Sequence, residues 1–494
     1  MGIPVYFKAL VTQYQDDILV KKHLRDIQSL FFDLNCLIHP CCKSVSDTGC
    51  VDESHMIDTI IHYIEKLISY TDAKTLVYIA IDGVCPKAKM KQQRERRHKS
   101  AYEKKKWDTN AISPGTEFMR RLNLRIREWM DIYGGTPKII LSDSTVPGEG
   151  EHKILEYLRQ NKVQGKVQGK TVIYGLDADL VMLGLVSGIN ELYLLRERTA
   201  YNIEDTESPY IYLSIPELRL HILKDIGIIS RLDADTVIYD YIFMCFLLGN
   251  DFINHCPSLS LRYGGLETLL ATYKLLQQRY MGHYRLVDTR LPACIQLPFF
   301  KEFLAELAKT EDRRLTQIRE SRRKQRGRVI REYGEMYRTF PKEKGAFVKQ
   351  STMDLFQKSS KTPDTAKDMC EHLPLLCEVV PVNTKNPDIS QDYIDSLVWT
   401  AIYYFRGCES WTWHTDFSEA PLIKHLYEYI RDIPRLHALD KSKPLTEVEQ
   451  LTYIFPPSSH SLHRYEIHGK AIKDLVYDLR DKRYLWECAI EIVS

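Results

Sequence analysis

TVIYGLDAD, residues 171–179, runs four β-branched or aromatic residues into a glycine and then sets Asp177 and Asp179 two positions apart. A short run of this kind, closed by a glycine, reads as a buried strand ending at a sheet edge. Three other stretches share the pattern: IQSLFF (27–32) before Asp33, TLVYIAI (75–81) before Asp82, and KIIL (138–141). Between them, 56–69 and 115–133 space their apolar residues by three and four, as amphipathic helices do. Strand alternating with helix predicts an α/β fold, a mostly parallel central sheet flanked by helices. From 215 to 270 the pattern turns helical, and it includes the apolar run VIYDYIFMCFLLG (237–249). Residues 313–344 are dense in arginine and 342–368 are polar, which predicts a basic helical segment and then a linker. A second folded region rich in Tyr and Trp follows. The expected division is 1–270, 271–368 and 369–494, the last a mainly helical region. The KVQGKVQGK segment (162–170) reads as an exposed turn.

Open parallel sheets keep their ligand crevice beyond the carboxyl ends of the strands. Asp33, Asp82, Asp177 and Asp179 all fall there. After KIIL the chain continues SDSTVPGEGEHK (142–153), in which Pro147-Gly148 turns the chain and Glu149 and Glu151 open a helix. Asp251 closes the buried run beside another glycine. Any one of these acids reads well as a cap or a solvated loop residue. Seven together would repel one another unless cations relieved them, and oxygen donors suit Mg²⁺ or Mn²⁺. A pair of such ions fits phosphodiester hydrolysis, so the expected cofactor is two Mg²⁺, with Mn²⁺ as a substitute.

Five residues past Asp82 begins KAKMKQQRERRHK (87–99). Lys89, Gln93, Arg96 and Arg97 stand at i, i+4, i+7 and i+8, on one helix face. Such a face next to a set of acids suits a terminal phosphate monoester better than a less charged diester. The later arginine-rich run has no such neighbour, and reads equally well as a phosphate-tracking face or a solvated helix.

The 494 residues carry 68 Lys+Arg against 66 Asp+Glu, so net charge names no partner and only its distribution can. Hydrophobic residues make up 44%, in the range of a globular protein. No run reaches the roughly 20 apolar residues of a membrane span, and no secretory leader is expected. Tyr6 stands where a myristoylation signal needs Ser or Thr. Cys36, Cys41, Cys42 and Cys50, with His39 and His55, lack paired zinc spacing, so reduced, mostly buried thiols are expected.

Seven motifs in order, MGIPVYFKAL (1–10), FFDLNCLIHPC (31–41), IAIDGVCPKAKMKQQRERR (79–97), SPGTEFM (113–119), VPGEGEHKI (146–154), YGLDADLVMLGL (174–185) and LLGNDFINHCPSL (247–259), resemble the Xrn-type 5′→3′ exoribonucleases. The resemblance is close over about 1–270 and looser over 390–425. It implies a PIN/flap-nuclease-like core and processive degradation of single-stranded RNA from a 5′-monophosphate, releasing nucleoside 5′-monophosphates. Carried over by position, Asp33, Asp82, Glu149, Glu151, Asp177, Asp179 and Asp251 match the metal-binding acids. Lys89, Gln93, Arg96 and Arg97 match the 5′-phosphate pocket. His39 matches the residue stacked on the first base, opposite a tryptophan of the Ser410-Trp-Thr-Trp motif, either Trp411 or Trp413. The chain departs from the family after Trp413, where HTDFSEAP (414–421) replaces the further aromatics expected in the wall of the substrate channel. The resemblance further implies a monomer, cytoplasmic or nuclear with the cytoplasm favoured, and a link to decapping enzymes. A flap-endonuclease-like DNA nuclease and an RNA-binding protein without activity are the competing readings.

Overall fold

The computed structural model describes residues 6–103, 106–163, 168–198, 208–227, 232–340, 347–371, 386–417, 419–462, 472–479, 485 and 488–493. Two sequence readings fall partly outside them: the MGIPV start of the first motif and the middle of the 162–170 turn.

Seven strands make the central sheet: β1 (Leu19–Val20), β2 (Ile27–Asp33), β3 (Leu76–Ala80), β4 (Lys138–Ser142), β5 (Lys170–Tyr174), β6 (Leu192–Glu197) and β7 (Tyr210–Ser214), in the order β1-β7-β6-β5-β2-β3-β4. The five strands from β6 to β4 are parallel, and β7 and β1 are antiparallel additions at one edge. The four expected strands are all present. The other three went unread because LV is too short to show a period, and because LYLLRE and YIYLS sit among charged and polar neighbours.

Each core strand alternates between two apolar layers, as pleating demands. Leu30, Phe32, Val77, Ile79 and Val172 face one layer; Phe31, Tyr78 and Ile173 face the other. The first layer packs under α2 (Asn35–Asp47), α3 (Glu53–Thr71) and α5 (Glu117–Tyr133). α1 (Tyr6–Ile18), α6 (Gly150–Val163) and α7 (Asp179–Ser187) lie on the second, while α4 (Lys87–Tyr102) runs along the strand-end edge. Strands run from β2 outward to β4, then return to the other side of β2 with β5. That reversal is the topological switch at which a crevice opens.

The second layer continues without a break into α8 (Ile215–Ile226), α9 (Ala234–Phe246), α10 (Gly265–Arg279) and α11 (Leu297–Ala308); the long α12 (Glu311–Thr339) follows, and its Val329, Tyr333 and Tyr337 belong to a separate small cluster. α9 stops at Phe246, so Asp251 lies in the turn beyond it and not at the helix end as expected. The polar stretch expected to be a linker is folded over its described part. β8 (Phe347–Lys349) leads into α13 (Gln350–Ser359) and α14 (Pro363–Glu371), and pairs with a strand near the end of the chain. Val348, Met353, Met369 and Cys370 are buried in one small cluster while Phe347 and Leu355 are exposed, too sparse a pattern to read against so many polar neighbours.

α15 (Pro387–Phe405) is buried along most of its length and docks against α7 and α9. α16 (Ile423–Ile430) packs on α11, and α17 (Glu447–Ile454) on α4. β9 (Asp474–Asp478) and β10 (Ala489–Val493) complete the three-stranded sheet with β8. No helix among the described residues is long and apolar enough to cross a membrane.

Candidate active site

A cavity of about 1340 Å³ opens at the carboxyl ends of β6, β5, β2 and β3. That exceeds the roughly 300–1,000 Å³ of ordinary small-molecule pockets. Asp33, Asp82, Glu149, Glu151 and Asp177 line it, as do Lys89, Gln93, Arg96, Arg97 and His39. Asp179, 1% exposed, lies behind the lining with Asp251, and neither tryptophan of the Ser-Trp-Thr-Trp stretch reaches the cavity wall.

The backbone explains why the acids converge. Asp33 is the last residue of β2, and Asp82 lies two residues past β3. Gly148, at φ +114°, turns the chain so that Glu149 precedes α6 and Glu151 sits in its first turn. Gly150 then passes directly over the two aspartates. Its N–H donates to Asp82 Oδ1 at 2.6 Å, and a Cβ there would lie 2.8 Å from Asp33 Oδ1. The buried ammonium of Lys153 donates to the carbonyls of Ile81 and Asp143 at 2.7 and 2.8 Å, fastening α6 to the ends of β3 and β4. Burial brings that lysine down to about 8.

Burial and mutual repulsion dominate the electrostatics. Burial first, then the Asp82 charge, pushes Asp33 up to about 7, while a hydrogen bond from the Cys36 thiol at 3.0 Å opposes the rise. Asp179 is pushed to about 8 by burial and Asp177, and Glu151 well upward by burial and Asp179. Glu151 Oε2 and Asp179 Oδ1 are buried and accept no hydrogen bond among the described residues. Hard oxygen donors crowded together, raised in pKa and lacking protein partners, fit a hard divalent cation. Glu149, Glu151 and His152 bring ligand atoms within 4.8 Å of one another. The His152 ring is held neutral by burial and stacks on Tyr403 with centroids 3.7 Å apart.

Lys89 departs from the expected pocket. It lines the cavity, yet its ammonium is turned onto the acids, 3.0 Å from Glu149 and paired with Asp251. Burial would raise Asp251, but Lys89 holds it below the usual carboxylate range. The cause is charge: an ammonium 7% exposed needs counter-ions, and two lie within reach. Arg96 is exposed on the cavity wall. Arg97 is anchored through Nε to Ser113 Oγ at 2.9 Å, and burial together with Arg96 lowers it to about 10.

His39 stands one helical turn into α2, facing the cavity. Trp413 stacks on Trp399 at 5.6 Å and 21°, against the core. Trp411 rests near Gly148, and its carbonyl accepts the Lys87 N–H at 2.8 Å, tying this loop to the start of α4. Cys41 and Cys42 are buried in the apolar layer. Sequence reasoning missed Tyr403, whose hydroxyl donates to Glu149 Oε2 at 3.0 Å from 254 positions away. It also gave no role to Cys36 or His152, which stand inside the quoted motifs.

The family model for the XRN 5′-3′ exonuclease N-terminus matches residues 1–198, and that for the Xrn1 helical domain matches 231–373 and 375–467. The chain belongs to the XRN 5′-3′ exonuclease family. The second match covers the region that carries Tyr403 and the Trp411 loop, so both halves of this site lie within XRN sequence. Human 5′-3′ exoribonuclease 1 is 25% identical over all of this chain, which spans 33% of that protein. The Drosophila melanogaster 5′-3′ exoribonuclease 2 homolog is 26% identical, with 96% of this chain and 65% of the relative covered. Aspergillus fumigatus 5′-3′ exoribonuclease 2 is 32% identical over 58% of this chain and 34% of its own length. The chain thus spans less than two thirds of the length of these relatives. Among solved structures, the catalytic core of Rad2 in complex with DNA substrate aligns at 16% identity over 57% of this chain and 76% of that one, with a TM-score of 0.34.

Proposed function

We propose that this chain is a 5′→3′ exoribonuclease, which hydrolyses single-stranded RNA from a 5′-monophosphate end with two Mg²⁺ ions held by the acids. One observation carries the reading: a carboxylate cluster and a cationic helix face open onto the same cavity. When bound, the ions supply an activated water and positive charge for the departing oxygen. Asp33, Asp82, Glu149, Glu151, Asp177, Asp179 and Asp251 hold them. Gln93, Arg96 and Arg97 bind the terminal phosphate, and Lys89 keeps Glu149 and Asp251 in register beside it. Water adds to phosphorus, the bond to the 3′ oxygen breaks, and a nucleoside 5′-monophosphate leaves. The shortened RNA carries a new 5′-phosphate, so each turnover regenerates the group that α4 binds. Each product is thus a substrate for the next turnover, and base stacking that retains the strand between turnovers would make the degradation processive.

His39 stacks on the first base. Trp411 or Trp413 would stand opposite it only after moving toward the cavity, which neither lines here. The substrate must come from a reaction that leaves a 5′-monophosphate, such as decapping, in the cytoplasm, and the enzyme works as a monomer.

The test is end chemistry. RNA with a 5′-monophosphate should be degraded at least a hundredfold faster than the same RNA with a 5′-hydroxyl, because charge-assisted bonds worth about 1.5–3 kcal/mol each are lost. Arg97→Ala should shrink that ratio while retaining some cleavage. Equal wild-type rates on both ends would overturn the pocket assignment.

A further inference from the structure

The sheet order gives the cavity two flanks. α4 follows β3, whereas β6 lies beyond β5, so the acids of β5, β2 and β3 stand between them. On the β6 flank the wall carries Arg196, Lys8 and Lys43 together with the ring of Phe7. Arg196 is the penultimate residue of β6, which runs parallel to β5, so it reaches the same edge as the acids.

Its environment is that of a binding group and not of a structural ion pair. The guanidinium lies over the Phe7 ring, 3.9 Å from the centroid. Its Nε is buried without a hydrogen-bond partner among the described residues. The neighbouring Glu197 does not satisfy it: strand alternation turns that carboxylate to the other face, where it accepts from the hydroxyls of Tyr63 and Tyr174. A partly buried guanidinium held over an aromatic ring, with its Nε donor unused, is prepared for an oxyanion. Lys8 and Lys43 are exposed and line the same cavity.

We propose that Arg196, with Lys8 and Lys43, binds the phosphodiester on the 3′ side of the scissile phosphate, the third phosphate counted from the 5′ end. This rests on the exoribonuclease reading and extends it. The terminal phosphate at α4, the scissile phosphate at the acids and the next phosphate at β6 then run across the sheet edge in strand order. Two strand spacings, about 10 Å, separate β2 from β6. A cation beyond the acids holds the departing strand in place while the first nucleotide leaves.

The test compares 5′-monophosphorylated dinucleotide and trinucleotide RNAs, since only the second contains the third phosphate. In Arg196→Gln, kcat/KM for the trinucleotide relative to the dinucleotide should fall tenfold or more, and Arg196→Lys should restore much of the ratio. Wild-type protein should lose a similar factor on a trinucleotide whose second linkage, the third phosphate, is an uncharged methylphosphonate, and Arg196→Gln should lose nothing further on it. The wild-type measurement stands even if the variant fails to fold. Equal wild-type rates with a charged and an uncharged second linkage, or a variant slowed alike at both lengths, would overturn the subsite. Wild-type protein that cleaves neither RNA would instead overturn the exoribonuclease reading itself.

Discussion

Asp179 concentrates the physical problem that this site sets. It is 1% exposed, pushed to about 8 by burial and Asp177, and its Oδ1 has no partner among the described residues. An unfolded aspartate gives up its proton near pH 4. In the ion-free fold, Asp179 and Asp33 keep theirs to about 8 and about 7. The folded chain therefore binds more protons than the unfolded one between those limits, and stability present below about pH 4 is lost as the pH rises toward 8. A divalent cation competes for the same oxygens, so its stabilisation grows over that range. Thermal unfolding should show a larger Mg²⁺-dependent rise in Tm at pH 8 than at pH 6. Asp179→Asn should raise the Tm of the ion-free protein and remove most of the Mg²⁺ increment. An increment independent of pH would contradict this account.

At the scale of elements, the start of α6 does the most. The VPGEGE turn brings Glu149 and Glu151 to aspartates that arrive from two different strands, and it can do so only because Gly150 has no side chain. Gly150→Ala should lower kcat by about a hundredfold or more, because shifts of about 1 Å in such groups cost that much. Near-native activity in a folded variant would show that Asp33 and Asp82 need not approach α6 so closely. This element was legible in the sequence: strand, glycine turn and helix leave local signatures, and the acids fall at positions that any parallel sheet turns toward its crevice. Lys89 was legible only in part. Helical spacing puts it on the face of Gln93, Arg96 and Arg97, but spacing does not reveal that Glu149 and Asp251 stand opposite and capture it. Tyr403 left no trace, since its bond to Glu149 joins residues 254 positions apart. The 347–371 segment misled for a related reason: its buried residues are few, and the strands that cover them come more than a hundred positions later.

Across the whole molecule, the helical region completes the site that the sheet begins. α15 supplies the Tyr403 hydroxyl, the next loop supplies the carbonyl that holds the start of α4, and the apolar layer beneath the sheet runs into α9 and α15 without a gap. Glu311, fully buried at the start of α12, accepts from Ser258 Oγ and from the N–H groups of Ile423 and Lys424, and so fastens three distant segments together. This continuity joins the helical region to the sheet whose strand ends carry the cavity. The most direct measurement is digestion of 5′-monophosphorylated RNA labelled at its 3′ end, beside a circular RNA of the same sequence, with Mg²⁺ and with EDTA. The account predicts that with Mg²⁺ the linear RNA is consumed into nucleoside 5′-monophosphates, that the circle stays intact, and that EDTA stops the reaction. Cleavage of the circle, or full activity in EDTA, would contradict it.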